Sequence, residues 1–202
     1  MTKAADGRLA RGEARKTLLL DAAVRIVGEQ GAGALTHRAV AAGAAVSLAS
    51  VTYHYPSIDD LRQATFEHAG SRIGLEFLAL VTRTASQPDA LPELCGDFTA
   101  HLVADRRTDA IAVFEMILAA GHDPELGPVK RLLDQRLARL LEPYVGSEAA
   151  ALTVTAAMQG LVLTALAPDP ARDPQWLRGA VSDLIRRYRA TPRPGDSSWT
   201  RS

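Results

Sequence analysis

The chain has 202 residues, 47% of them apolar and 23% charged, with 23 basic residues balanced by 23 acidic ones. That length suffices for one or two domains with a sizeable core. The neutral balance excludes a uniformly basic coat for nucleic acid, and the lone Cys95 excludes an internal disulfide, which fits a reducing compartment.

The segment "TLLLDAAV" is interrupted by Asp21 and is too short for the apolar core of a secretory signal. The longest apolar run, Leu152 to Ala167, holds Gln159 and three threonines and falls short of the roughly 18 residues of a membrane span. A cytoplasmic protein with no membrane partner is expected. Residues 1–16 carry Lys3, Arg8, Arg11, Arg15 and Lys16 against Asp6 and Glu13, a modest basic arm that reads as solvated.

Helical periodicity then dominates, and the fold class is all-α. In Arg15–Gln30 the residues Leu19, Ala22, Ala23, Ile26 and Val27 form one stripe, and Gly31 and Gly33 stop the helix. A short second helix fits Thr36–Ala44 with Thr36 as its cap, and a third fits Leu48–Tyr53 capped by Ser47. Pro56 ends that segment, and a fourth helix starts at Ser57 with Asp59 and Asp60 in its first turn, where the helix dipole favours negative charge. Further helices are expected at Asp59–Thr84, Leu91–Asp105, Asp109–Ala120, Pro128–Leu141, Ser147–Ala167 and Pro174–Arg189. The tail "TPRPGDSSWTRS", with Trp199, has too little apolar content to fold and is expected to be disordered.

Helices two and three are joined by only Ala45, Val46 and Ser47, which forces a steep crossing of the helix-turn-helix type. Leu35, Val40, Ala44, Val46 and Val51 would face inward, leaving His37, Arg38, Leu48, Ala49, Ser50, Thr52, Tyr53 and His54 available outside. Such three-helix units also occur in proteins that bind no DNA. The stretch "VTYHYPS" favours DNA, because hydroxyls and an imidazole at a helix end suit phosphate oxygens.

The run "LTHRAVAAGAAVSLASVTYHYPSIDDL", Leu35 to Leu61, resembles the TetR family of one-component transcriptional regulators. It has that family's threonine-capped helix, tight turn, short recognition helix, aromatic-x-His-aromatic ending and acidic start to helix four. The resemblance implies a DNA-binding domain over 1–56, a ligand-binding and dimerisation domain over 57–190, and the tail over 191–202. It also implies a DNA-facing set of Thr36, His37, Arg38, Ser47, Leu48, Ala49, Ser50, Thr52, Tyr53 and His54. Arg38 is the candidate for bidentate contact with guanine, Leu48 and Ala49 suit a thymine methyl, and Ser50 suits either kind of base edge. Tyr53 and His54 would hold phosphate, or else simply pack, while Tyr55 packs inward. Four positions depart from the family pattern. Ala45 and Ala49 replace common glycines, Thr52 stands where a phosphate-binding tyrosine is common, and Ile58 takes a lysine position, which removes close to one ion from the salt dependence.

Two recognition helices must sit roughly 34–36 Å apart to read a duplex with two-fold symmetry. The helices at 147–167 and 174–189 are the expected homodimer interface, with Gly160 permitting close approach; the alternative is that they complete a monomeric core. The resemblance places an apolar effector pocket in the preceding bundle, with Phe77, Phe98, His101, Phe114, Glu115, Met116 and Met158 as candidate lining. Each of these is also an ordinary core candidate. No zinc spacing, glycine-rich phosphate loop or Ser/His/Asp motif is present, so no metal, cofactor or catalytic residue is expected. The leading reading is a ligand-responsive regulator, usually a repressor, with double-stranded operator DNA and a small apolar or amphipathic molecule as partners. The alternatives are a helical ligand-binding protein with a weakened DNA head and, third, a helical enzyme using His101, Glu115 or Cys95.

Overall fold

Apolar stripes at helical spacing produce nine α-helices among the described residues of a computed structural model, with no strand among them. The structure describes residues 3–84, 86–167, 169, 173 and 175–189. The expectation of a disordered tail, with Trp199, lies outside the described residues, as does the proposed start of the last helix at Pro174. In chain order the helices are α1 (Lys3–Gln30), α2 (His37–Gly43), α3 (Leu48–His54), α4 (Ile58–Arg83), α5 (Leu91–Ala104), α6 (Arg107–Ala119), α7 (Leu126–Val145), α8 (Glu148–Leu166) and α9 (Trp176–Tyr188).

Two helices exceed their expected bounds by four residues or more at one end. The α1 backbone is helical from Lys3, where a solvated arm is expected; alanine, arginine, lysine and glutamate are strong helix formers and need no apolar stripe to extend a helix already nucleated downstream. Helix α7 runs past Leu141 through Pro143 and ends at Gly146, which adopts a left-handed φ of 85° while its N–H donates to Glu142 O.

The stripe of α1 is buried as its spacing requires: Leu19, Ala22, Ala23, Ile26 and Val27 all face the core. Val40, Ala44 and Val51 of the helix-turn-helix pack on it with Leu35, and Val46 lies half-buried against the same cluster. That cluster continues through Leu61, Phe66 and Ala69 of α4 into Ala112 and Met116 of α6 and Leu126 and Val129 of α7. Residues on both sides of position 57 therefore share one core. A second core joins α4, α5, α7, α8 and α9 through Phe77, Leu91, Cys95, Leu141, Val154 and Val181.

Backbones of α1 and α6 meet closely. A Cβ on Gly28 would stand 2.3 Å from Thr108 O, so only glycine permits this approach. Helix α9 lies along α5, tied by Ser182 Oγ donating to the buried Pro92 O at 3.0 Å and by Arg178 with Asp97 at 2.6 Å. Helix α8 has 19 residues and an 18-residue window of mean hydropathy 1.7, so by length and composition it could cross a membrane. It packs between α7 and α9, yet only a third of that window is buried.

The turn between α2 and α3 closes the C-terminus of α2 with two backbone bonds, Val46 N to Ala41 O at 2.9 Å and Ala45 N to Ala42 O at 3.2 Å. This pairing demands a left-handed residue at position 45. Ala45 takes it, with φ 53°, alone among described non-glycine residues. The Cβ clash of that conformation costs on the order of 1 kcal/mol. Replacing Ala45 with glycine is expected to stabilise the fold by about 1 kcal/mol, read as a higher urea midpoint at unchanged slope.

Candidate nucleic-acid interface and internal cavity

Three serine or threonine caps set the directions of the helices around the exposed face. Thr36 Oγ1 accepts from Ala39 N at 3.1 Å at the start of α2, and Ser47 Oγ accepts from Ser50 N at 3.2 Å at the start of α3. At α4 a reciprocal capping box forms. Ser57 Oγ accepts from Asp60 N at 3.0 Å while the Asp60 carboxylate accepts from Ser57 N at 3.0 Å. Bonds from the Ser57 hydroxyl and then its backbone hold the Asp60 carboxyl below its ordinary value.

With Val51 fully buried, the opposite side of α3 faces solvent. Leu48, Ala49, Thr52 and Tyr53 are exposed, Tyr53 by 82%, and Ser50 is half-buried. Thr36, Arg38 and Ser47 are exposed beside them, and Arg38 has no hydrogen-bond or ionic partner among the described residues. His54 is half-buried, its ring edge-on to Tyr53 with centroids 5.1 Å apart. Tyr55 turns inward, where burial first and the Glu13 carboxylate second push its phenol above the ordinary value.

Four of the ten expected DNA-facing side chains have internal hydrogen-bond partners: the caps Thr36 and Ser47, and also His37 and Thr52. His37 is half-buried, and its Nε2 lies 2.7 Å from Tyr55 O, so it ties the start of α2 to the end of α3. The Thr52 hydroxyl turns back to Leu48 O and Ala49 O, each at 3.3 Å, which engages its only proton. Of the residues that depart from the family pattern, Ile58 packs on the core beneath α4, where a lysine would have carried its charge outward. Arg25 Nη2 donates to Gly43 O at 2.8 Å, bracing the end of α2 from α1.

An internal cavity lies among α4, α5, α6, α7 and α8. Its inner chamber, about 100 Å³, is walled by Ile73, Phe77, Phe98, Leu102, Val113, Phe114, Leu141, Thr155, Met158 and Val162. Phe77 and Phe98 stack at a tilt with centroids 5.3 Å apart. An outer chamber of about 490 Å³ opens between α4 and α7 and shares Ile73, Val113, Ile117, Leu137 and Gln159 with the inner one. Its rim carries Lys130, Asp134, Arg136 and Arg139.

Four of the seven candidate lining residues, Phe77, Phe98, Phe114 and Met158, stand on the wall. Three do not. His101 is exposed on the outer side of α5, with Nδ1 2.8 Å from the Asp105 carboxylate, because that side of α5 faces away from the bundle. Glu115 points the other way from Phe114 and accepts from Ala32 N at 3.1 Å, capping the 3-10 turn after α1. Met116 is buried in the core shared with α1. The sequence reading missed Thr155 and Gln159 as wall residues, although the presence of glutamine and threonine in so apolar a helix was the available signal. Cys95 is buried, and burial pushes its thiol up to about 12, which leaves no thiolate for chemistry near neutral pH. Among the described residues no three His, Cys, Asp or Glu side chains gather as a metal site requires.

Comparison with known proteins agrees with this layout. Residues 19–65 match the model of bacterial regulatory proteins of the tetR family, and residues 86–190 match that of the tetracyclin repressor-like C-terminal domain. No curated protein sequence matches the chain. Among solved structures, the multidrug binding protein EbrR complexed with imidazole is similar at 30% identity and TM-score 0.69, over 90% of this chain and 98% of that one. EbrR complexed with ethidium aligns at 31% identity and TM-score 0.66, over 85% and 98%. A TetR family member from Streptomyces coelicolor A3, SCO1917, aligns at 30% identity and TM-score 0.69, again over 85% and 98%. With the head and the C-terminal half both matched, and relatives of 30% identity spanned almost end to end, the chain belongs to the TetR family of bacterial transcriptional regulators.

Proposed function

We propose that the chain acts in the cytoplasm as a homodimeric repressor, released from its operator when a small apolar or amphipathic molecule enters the cavity. The observation that carries the DNA-binding half is the two-sided character of α3. Its Val51 face is fully buried while Leu48, Ala49 and Tyr53 stand in solvent beside the unpaired Arg38. A helix of that shape suits the major groove, with Arg38 on guanine, Leu48 and Ala49 on thymine methyls, Ser50 on a base edge, and Thr36, Ser47, Tyr53 and His54 towards phosphate. The domain division of the sequence reading, head 1–56 and body 57–190, serves this reading as a division of labour across a continuous core.

Support for an apolar effector comes from the cavity walls and from EbrR, which has been crystallised with ethidium, proflavin and malachite green. Helix α6 is the natural link. Val113 and Phe114 face the cavity, Ala112 and Met116 sit in the core with α1, and Glu115 holds the turn that follows α1. A ligand that favours one placement of α6 over another shifts the population of head positions, and the same difference in affinity sets how far DNA binding falls. Dimerisation through α8 and α9 is supported by the apolar surface that α8 leaves uncovered, with Leu152 and Leu163 exposed and nothing within 4 Å of a Cβ built on Gly160. A second reading, a ligand-binding protein with a weakened head, is favoured by the internal bonds of His37 and Thr52 and the inward turn of Ile58.

Footprinting on the DNA that flanks the gene is expected to show a two-fold protected site; purely sequence-independent binding would instead support the second reading. Arg38→Ala is expected to lose about 1–3 kcal/mol of discrimination at one base pair in competition binding, whereas an equal loss on all sequences would reassign Arg38 to phosphate. Leu163→Glu is expected to shift sedimentation velocity from dimer towards monomer at micromolar concentration, with helical circular dichroism retained.

A further inference from the structure

The outer chamber owes its mouth to a parting of α4 from α7. At Gly70 an added Cβ would stand 2.4 Å from Leu133 Cδ1, so the two helices touch there; one turn on, at Gly74, nothing lies within 4 Å. The α4 lip carries no charge. It presents Ile73, the exposed Leu75 and Leu78, and Ser71 as its polar side chain. The charges of the chamber all sit on the α7 lip, as Lys130, Asp134, Arg136 and Arg139. Asp134 is fully engaged. Its Oδ2 accepts from Lys130 Nζ, and its Oδ1 accepts from Gln159 Nε2 at 2.9 Å. Arg136 and Arg139 stand at i and i+3, on one side of the helix, and neither has a hydrogen-bond or ionic partner among the described residues. The lip therefore holds two guanidiniums without counter-charge beside one neutralised pair. Below the mouth the chambers meet at Ile73, Val113, Ile117, Leu137 and Gln159, and no charged side chain lines the inner one.

Resting on the reading of this cavity as the effector site, we propose that the effector is an amphipathic organic anion of the carboxylate type. Its apolar body enters the inner chamber, and its charged group stays at the mouth against Arg136 and Arg139. Desolvation sets this orientation. An ionised group carried inward would lose its water with nothing on the inner wall to compensate it, so the charge remains where the chamber opens. There each guanidinium offers N–H donors in the fork geometry that a carboxylate accepts. A cationic effector meets the opposite situation. The carboxylate on the lip is already shared between Lys130 and Gln159, and two unpaired guanidiniums stand beside it. An uncharged molecule of the same shape gains the apolar wall and forgoes the ion pair. Arg136 and Arg139 are thus specificity residues that select the sign of the charge, while burial of the apolar body supplies most of the affinity. Both arginines are exposed, so water and salt screen the contact, and the selectivity it gives is about fivefold.

The test compares three probes that share one body, 2-naphthaleneacetate, 2-naphthaleneethanol and 2-naphthaleneethylamine, which at neutral pH are anion, neutral molecule and cation. Each is titrated calorimetrically into the full-length protein at low salt. The acetate is expected to bind about fivefold more tightly than the alcohol, and the amine most weakly. Replacing both arginines, Arg136→Gln with Arg139→Gln, is expected to bring the acetate down to the affinity of the alcohol and to leave the alcohol unchanged. Arg131→Gln, on an exposed residue of α7 outside the chamber lining, is expected to keep the preference. If the double variant does not fold, the wild type supplies the same test: raising salt from about 0.02 M to about 0.5 M must remove most of the advantage of the acetate while the alcohol holds its affinity. Equal affinity of the wild type for acetate and alcohol, or an equal loss in Arg131→Gln, would overturn the charge selection and leave the cavity as the effector site. Failure of all three probes to bind the wild type, together with no effect of any of them on operator binding, would overturn the cavity reading and this proposal with it.

Discussion

The arrangement depends on the contact of α1 with α6, where Gly28 leaves no room for a Cβ against the Thr108 backbone. Two helices that touch at the main chain cannot slide independently, so the head that carries α2 and α3 is built on the same core as the body. Charges trace the same junction. Asp21 of α1 meets His68 and Arg72 of α4, Arg72 reaches Asp109 of α6, and Arg106 bridges Asp109 and Glu76. These pairs are only partly buried, and such pairs contribute little stability each, so packing holds the joint and the charges fix its register.

This joint gives α6 two faces with different duties. Val113 and Phe114 border a cavity, while Ala112, Glu115 and Met116 border the head. Adjacent residues on a helix point about 100° apart, which is how one turn of α6 borders both the cavity and the head.

Much of the head was legible in the sequence because its signals are local. The stripe of Leu19 to Val27, the caps Thr36 and Ser47, the helix start near Ser57 and the short turn at Ala45 each depend on neighbours within a few residues. The cavity was legible only in part. In α8 nearly every residue is apolar, so periodicity gives no phase; the polarity of Thr155 and Gln159 marks them out, but it does not by itself say that they line the cavity while Leu152 and Leu163 face out. His101 and Glu115 failed as lining for a related reason. Polarity in a helix shows that a side chain needs a partner, but the partners, Asp105 and the backbone of Ala32, are set by tertiary packing. His37 likewise reads as an outward donor until Tyr55 O appears 2.7 Å away.

Cys95 gives the molecule an internal clock. It is the chain's only thiol, lies wholly inside the layer where α5 meets α9, and is held protonated by burial near neutral pH. A soluble alkylating reagent therefore reacts only with copies in which that layer has parted. The labelling rate at a single sulfur reports the opening frequency of the C-terminal half, without a mutation or an attached dye.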